Sequence, residues 1–137
     1  MEDISEIDPV TISWPAGIYA ITLFQENLIA AKQFYQEVFD LEVVYEDANS
    51  CVFKIGETLI NLLNTNSADV LVNPAKVAKQ EAGSRLVFTL QVEDVDALCE
   101  ALIKRGVTLL NGPMDRPWGI RTASFMDPGG HIWEIAK

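Results

Sequence analysis

The stretch DPGGHIWE, residues 127–134, carries two side chains of the types that metals and proton-transfer chemistry use. His131 and Glu134 stand three positions apart, directly after a turn-like DPGG segment. An imidazole and a carboxylate can share a divalent metal, and a carboxylate alone can act as a general base. Successive side chains of a strand point to opposite faces, so an odd separation places these two on different sides. We therefore expect His131 to be structural, near the turn, and only Glu134 to face a cleft.

Composition excludes several classes of function. The 137 residues, 49% hydrophobic and 22% charged, fit one globular domain. Ten Lys and Arg against 20 Asp and Glu give a net charge of −10, which opposes binding to nucleic acid or to an anionic membrane. The apolar runs are too short to cross a membrane, and the acidic N-terminus lacks the basic region of a signal peptide. A cytoplasmic protein with a small-molecule partner is expected.

The elements that position Glu134 occur in two copies of one pattern. In each copy a strand is followed by a helix and three more strands. The first copy is predicted at 17–24, 28–40, 41–47, 50–56 and 58–64. The second is predicted at 85–92, 95–106, 107–112, 120–126 and 131–136. Residues 1–16 are interpreted as an N-terminal tail and 65–83 as a connector, with a short helix from Pro74 to about residue 80.

The two copies also resemble each other residue by residue. The segment AITLFQENLIAA (20–31) aligns without gaps to VFTLQVEDVDAL (87–98), and Asn27 and Asp94 share the helix-capping position. Two modules with exposed sheet faces are expected to pair them. The prediction is one α+β domain over 17–137, with modules at 17–64 and 84–137. It forms a curved mixed sheet with helices on the convex side and a cleft on the concave side.

Three segments carry a resemblance to a known family: LFQENLIAAKQFYQEVFDLEVV, VEDVDALCEALIKRGVTLL and PWGIRTASFMDPGGHIWEIA. The chain resembles the vicinal oxygen chelate superfamily over residues 17–137. That superfamily includes glyoxalase I, bleomycin and fosfomycin resistance proteins, and extradiol dioxygenases. The resemblance implies paired βαβββ modules and a homodimer whose clefts are completed by both chains. It does not identify an activity, because one fold hosts many functions.

The resemblance also implies four positions for metal ligands, one on the first and one on the last strand of each module. In this sequence they are occupied by Ala20, Asn61, Val87 and Glu134. Only Glu134 is a good ligand, whereas a catalytic divalent site generally has three protein ligands and an open position. No cofactor is therefore expected, and a divalent metal is the less favoured alternative.

Other candidates for the cleft follow from strand alternation and from one loop. Alternation places Thr22, Phe24, Asn61, Thr89 and Gln91 on the same face as Glu134. Trp118, in the Gly- and Pro-punctuated segment 111–121, is a candidate wall that stacks on a flat ligand. Arg121 is a candidate anchor for a carboxylate or phosphate, or else the partner of a salt bridge, Glu134 included.

These residues leave three functions open. The first is a metal-free protein that binds a planar or aromatic small molecule, similar to the bleomycin resistance proteins. The second is a glyoxalase-like lyase or isomerase, of the lactoylglutathione lyase type, in which Glu134 is the base or a metal ligand. The third is a structural dimer with a vestigial cleft.

Overall fold

The computed structural model describes residues 12–137, and the predicted βαβββ order is present in both halves of the chain. The first half contains β1 (Ala20–Gln25), α1 (Leu28–Glu37), β2 (Tyr45–Glu46), β3 (Ser50–Ile55) and β4 (Thr58–Asn64). The connector holds one short α-helix, α2 (Asp69–Val72), and two 3-10 helices, Thr65–Ser67 and Gln80–Ala82. The second half contains β5 (Val87–Gln91), α3 (Val95–Lys104), β6 (Leu109–Asp115), β7 (Arg121–Met126) and β8 (Ile132–Ala136).

The strands form two four-stranded mixed sheets of the same topology. The order is β1-β4-β3-β2 in the first sheet and β5-β8-β7-β6 in the second. In each sheet the first strand runs parallel to the last, and the remaining neighbours are antiparallel. The α+β fold class is thereby confirmed, although the curved sheet expected from the sequence is divided into two.

The helices begin where the sequence predicts them, because each has a capping side chain. Asn27 accepts a hydrogen bond from the Ala30 N–H at 3.0 Å, and Asp94 accepts one from the Ala97 N–H at 3.0 Å. Each cap satisfies one of the backbone donors that a helix start leaves unpaired. The two modules therefore begin their helices in the same way.

One hydrophobic core joins the two modules. Tyr35 of α1 lies between Phe53 of the first sheet and Trp133 of the second, with ring centroids 5.8 and 6.2 Å away. Both sheets turn their most buried strand residues, among them Ile60 and Phe125, toward this core. The opposite side of each sheet is here called its outer face. Residues at alternate positions, including Asn61 and Glu134, lie on it.

Two local predictions are wrong. The helix expected from Pro74 to about residue 80 is absent, and α2 ends at Val72. The side chains around Lys76 are exposed and have no apolar stripe that would pack a helix on the core. The segment 111–121 is not a long loop, because β6 continues to Asp115 and only 116–120 turns.

No helix within residues 12–137 has the length and apolar character needed to cross a membrane.

Candidate functional site

Each module carries the same cross-strand pair on its outer face. In the first, Asn61 of β4 lies opposite Thr22 of β1 and donates from Nδ2 to its hydroxyl oxygen at 3.3 Å. In the second, Thr89 of β5 lies opposite Glu134 of β8 and donates to its Oε1 at 2.8 Å. The internal repeat therefore extends from the backbone to the polar side chains, with Glu134 standing where the first module has Asn61.

Strand alternation separates the two residues of the terminal motif, as the sequence predicts. Trp133 and Ile135 are buried in the core, so Glu134 between them lies on the outer face. His131 lies before β8 and turns to Asp127, with Nδ1 at 3.0 Å from both carboxylate oxygens. The two side chains share no ligand position.

Asp127 is the centre of a buried polar network. Its Oδ2 accepts hydrogen bonds from Gln25 Nε2 at 2.9 Å and Tyr35 Oη at 2.8 Å, and Tyr35 Oη accepts one from Trp133 Nε1 at 2.9 Å. Its Oδ1 accepts the backbone N–H groups of residues 129 and 131. Burial alone raises the pKa of Asp127, but the hydrogen bonds and charge of His131 outweigh it, so the pKa lies below its usual value.

An arginine that is not among the predicted site residues lies on the outer face of the second sheet. Arg116 Nε donates to Thr122 Oγ1 and its Nη2 to Asn111 Oδ1, both at 2.8 Å. Both acceptors are neutral, and Arg116 forms no ion pair with a carboxylate of residues 12–137. Its charge is therefore available to an anion. Only the observed register, with Thr122 facing outward, reveals this, and the sequence offers no signal for it.

Trp118 stands beside that arginine. The Arg116 Cζ is 5.9 Å from the centroid of the Trp118 ring, a separation typical of a cation–π contact. The indole is 68% exposed in the tight turn between β6 and β7. A flat, exposed ring and an unneutralised guanidinium thus lie together at one end of the outer face.

Arg121 does not share the outer face with Glu134, which corrects the expected placement. Glu134 pairs with Ser124, and Arg121 is three residues earlier on β7, so the two side chains point to opposite sides. Arg121 is bound to Asp96 of α3 at 2.7 Å and to Asp115 at 3.1 Å. The hydrogen bond from Arg121 lowers the pKa of Asp96. The salt bridge predicted as the alternative is present, with these partners instead of Glu134.

The other predicted cleft residues lie on the outer faces but do not meet around one cavity. Asn61 lines a cavity of about 320 Å³, Phe24 one of about 250 Å³ and Thr89 one of about 280 Å³. Gln91 is exposed at the end of β5. A single chain therefore presents two separate half-sites, one built on Thr22 and Asn61 and one on Thr89 and Glu134.

The residues at the four ligand positions do not fit a metal within one chain. Ala20 and Val87 have no coordinating atom, and Asn61 offers only an amide oxygen. Among residues 12–137 no group of three or more His, Cys, Asp and Glu side chains could hold a metal ion. Glu134, engaged by Thr89, is the one strong ligand of the set.

Comparisons with known proteins agree with this architecture. Residues 17–135 match the family described as the Glyoxalase/Bleomycin resistance protein/Dioxygenase superfamily. The uncharacterized protein YraH of Bacillus subtilis is 31% identical over 121 residues, which are 85% of this chain and 94% of that protein. A glyoxalase/bleomycin resistance protein/dioxygenase from Nocardioides superposes with a TM-score of 0.82 at 22% identity, covering 93% of this chain and 85% of that one. Lactoylglutathione lyase from Agrobacterium tumefaciens superposes with a TM-score of 0.72 at 23% identity, covering 89% and 93%.

Proposed function

Because the chain belongs to the glyoxalase/bleomycin resistance protein/dioxygenase superfamily, we propose that it binds a small planar organic anion without a metal. The ligand lies on the outer face of the second sheet. The carrying observation is that Glu134, Arg116 and Trp118 share this face and that the guanidinium has no carboxylate partner among the described residues.

Each of the three side chains has a separate task. Trp118 offers an exposed ring for stacking, which suits a flat molecule. Arg116 is held by two neutral acceptors and keeps N–H groups for a carboxylate or phosphate. Glu134 lies across from Ser124, which is two residues along β7 from Thr122, the hydrogen-bond partner of Arg116. By strand geometry, Ser124 and Thr122 are about 7 Å apart. Thr89 fixes its carboxylate to accept a ligand donor.

The test is calorimetric titration with 2-naphthoate as the probe and uncharged 2-naphthol as its counterpart. Naphthoate is expected to bind, and Arg116→Gln should weaken it about tenfold, the scale of one charge-assisted contact. Trp118→Ala should lower the affinity for both compounds, because stacking does not depend on charge. Lys104→Gln removes an equal charge from the end of α3 and should leave affinity unchanged. Equal weakening in Arg116→Gln and Lys104→Gln, or no binding at all, contradicts the proposal.

A glyoxalase-like lyase is the second candidate, favoured by the position of Glu134 on the last strand of its module. Its test is turnover of the methylglyoxal–glutathione hemithioacetal by protein washed with a chelator and by protein supplied with Zn²⁺ or Ni²⁺. Turnover that Glu134→Gln abolishes would establish the enzyme. Stoichiometric metal retained through the chelator wash would contradict the metal-free part of the first proposal.

A further inference from the structure

An acidic chain gathers three of its ten cations around one cavity. Lys76, Lys79 and Arg85 line a cavity of about 250 Å³ together with His131. The cavity lies where the connector meets the end of β1 and the turn before β8. A local excess of positive charge in a protein of net charge −10 concentrates attraction for anions at this place.

These three cations differ from the structural cations of the protein. Lys32, Arg105 and Arg121 are each paired with carboxylates at 2.7–3.1 Å. Lys76, Lys79 and Arg85 form no ion pair with any carboxylate in residues 12–137. They therefore keep their charge for a partner that the described chain does not supply.

Among residues 12–137 the lining holds one carboxylate, and that carboxylate has a structural role. Glu26 Oε1 accepts the backbone N–H of Gln80 at 3.2 Å, which ties the connector to the end of β1. Formal charges in the lining are thus three positive and one negative before His131 is counted. The net local charge remains positive.

The histidine at the cavity is held in place by a buried carboxylate. Asp127 engages Nδ1 of His131, and the Asp127 side chain is fully buried. The ring therefore cannot turn freely, and its Nε2 forms no hydrogen bond with the described residues. The imidazole is therefore held in one orientation at the cavity, where its ring signals can report a bound ligand.

The rest of the lining is apolar. Phe24, Val77 and Leu86 also line the cavity. We propose that this cavity is a second binding site, for a small organic anion with a carboxylate or phosphate head and an apolar body. Lys76, Lys79 and Arg85 hold the head, and the apolar side chains of the lining contact the body. This site shares no residue with the outer-face site proposed above, so the two can fail independently.

The single histidine of the chain gives the test a local readout. Phenyl phosphate and benzoate are titrated into the whole protein, and the chemical shifts of the His131 ring protons and carbons are followed by NMR. Saturable shifts of these signals are expected with one or both anions and not with phenol. The stronger of the two anions identifies the head group that the site prefers. Absence of shifts with both anions at millimolar concentration overturns the proposal.

A matched pair of double variants separates a site from bulk charge. The double variant Lys79→Gln with Arg85→Gln should lower the affinity for the anion at least tenfold. Lys54→Gln with Lys104→Gln removes two charges outside the lining and should leave its affinity unchanged. Equal weakening in both variants, at unchanged melting temperature, would mean a diffuse charge effect and overturn the site. In Trp118→Ala with Arg116→Gln, anion-induced shifts of His131 should persist, which distinguishes this site from the outer face.

Discussion

At the residue scale, Asp127 connects distant parts of the chain, although the sequence predicts it only as part of a turn. Asp127 does accept the local N–H groups expected of a turn residue. It also binds Gln25 and Tyr35, which are 102 and 92 residues away along the chain. Such partners follow from tertiary packing and leave no local pattern. Sequence alone could therefore identify the turn but not the network through it.

Asp127→Asn should destabilise the fold by about 1–3 kcal/mol at neutral pH, since the new amide group faces the donors that the carboxylate now accepts. Burial raises the pKa of Tyr35, so its hydroxyl stays protonated and needs an acceptor. The measurement is urea unfolding followed by fluorescence. Asp115→Asn is the matched control, because Asp115 is exposed, and it should change the unfolding free energy much less.

The lowered pKa of Asp127 also predicts how the stability of the protein depends on pH. A carboxyl whose pKa is lowered by folding stabilises the protein fully above its unfolded pKa, about 3.9, and loses that effect as pH falls through the folded value. The difference between wild type and Asp127→Asn should therefore be constant near neutrality and shrink below about pH 4. A difference that stays constant or grows in acid would show that Asp127 is not ionised in the folded protein.

At the scale of elements, repeated patterns were predictable and interrupted ones were not. The caps at Asn27 and Asp94 follow from local spacing, and the structure confirms them. The extent of β6 does not follow, because its pairing with β7 shifts register around Gly112. The face of Arg116 depends on that shift, which explains why the sequence does not identify this arginine as a site residue.

Gly112 makes the shift of register sterically feasible. Its φ is +86°, and a Cβ added there would lie 2.4 Å from the Thr122 carbonyl oxygen and 2.7 Å from the Ala123 Cα. Gly112→Ala should destabilise the protein by about 2–5 kcal/mol, the sum of backbone strain and overpacking. Gly119 in the following turn also has positive φ, +97°, but open space around it.

Gly119→Ala is therefore the control for backbone strain alone, with an expected cost of about 1–2 kcal/mol. Thermal and urea unfolding of both variants measure the difference. Similar losses in the two variants would show that β6 moves away from β7 and that the close approach at Gly112 does not fix the register.

At the scale of the whole molecule, the two outer half-sites supply different polar side chains and lie apart from each other. The first supplies Thr22 and Asn61, and the second supplies Thr89 and Glu134. Within one chain the shared core lies between the sheets, so their outer faces cannot close on each other. A second copy of the chain can bring an outer face of one module against that of another, as the homodimer implied by the family resemblance requires.

The exposed apolar residues near β1 favour such a dimer. Trp14 and Tyr19, five residues apart in the sequence, are each 80% exposed, and an interface would bury their rings. We expect light scattering to give twice the 15.2 kDa mass of the chain. Trp14→Asp with Tyr19→Asp should yield monomers and weaken naphthoate binding. Ile29→Asp, at an 82% exposed position on α1, should leave the dimer intact. A monomeric wild type would mean that one chain completes the site by itself. Dissociation by Ile29→Asp alone would place the interface on another surface.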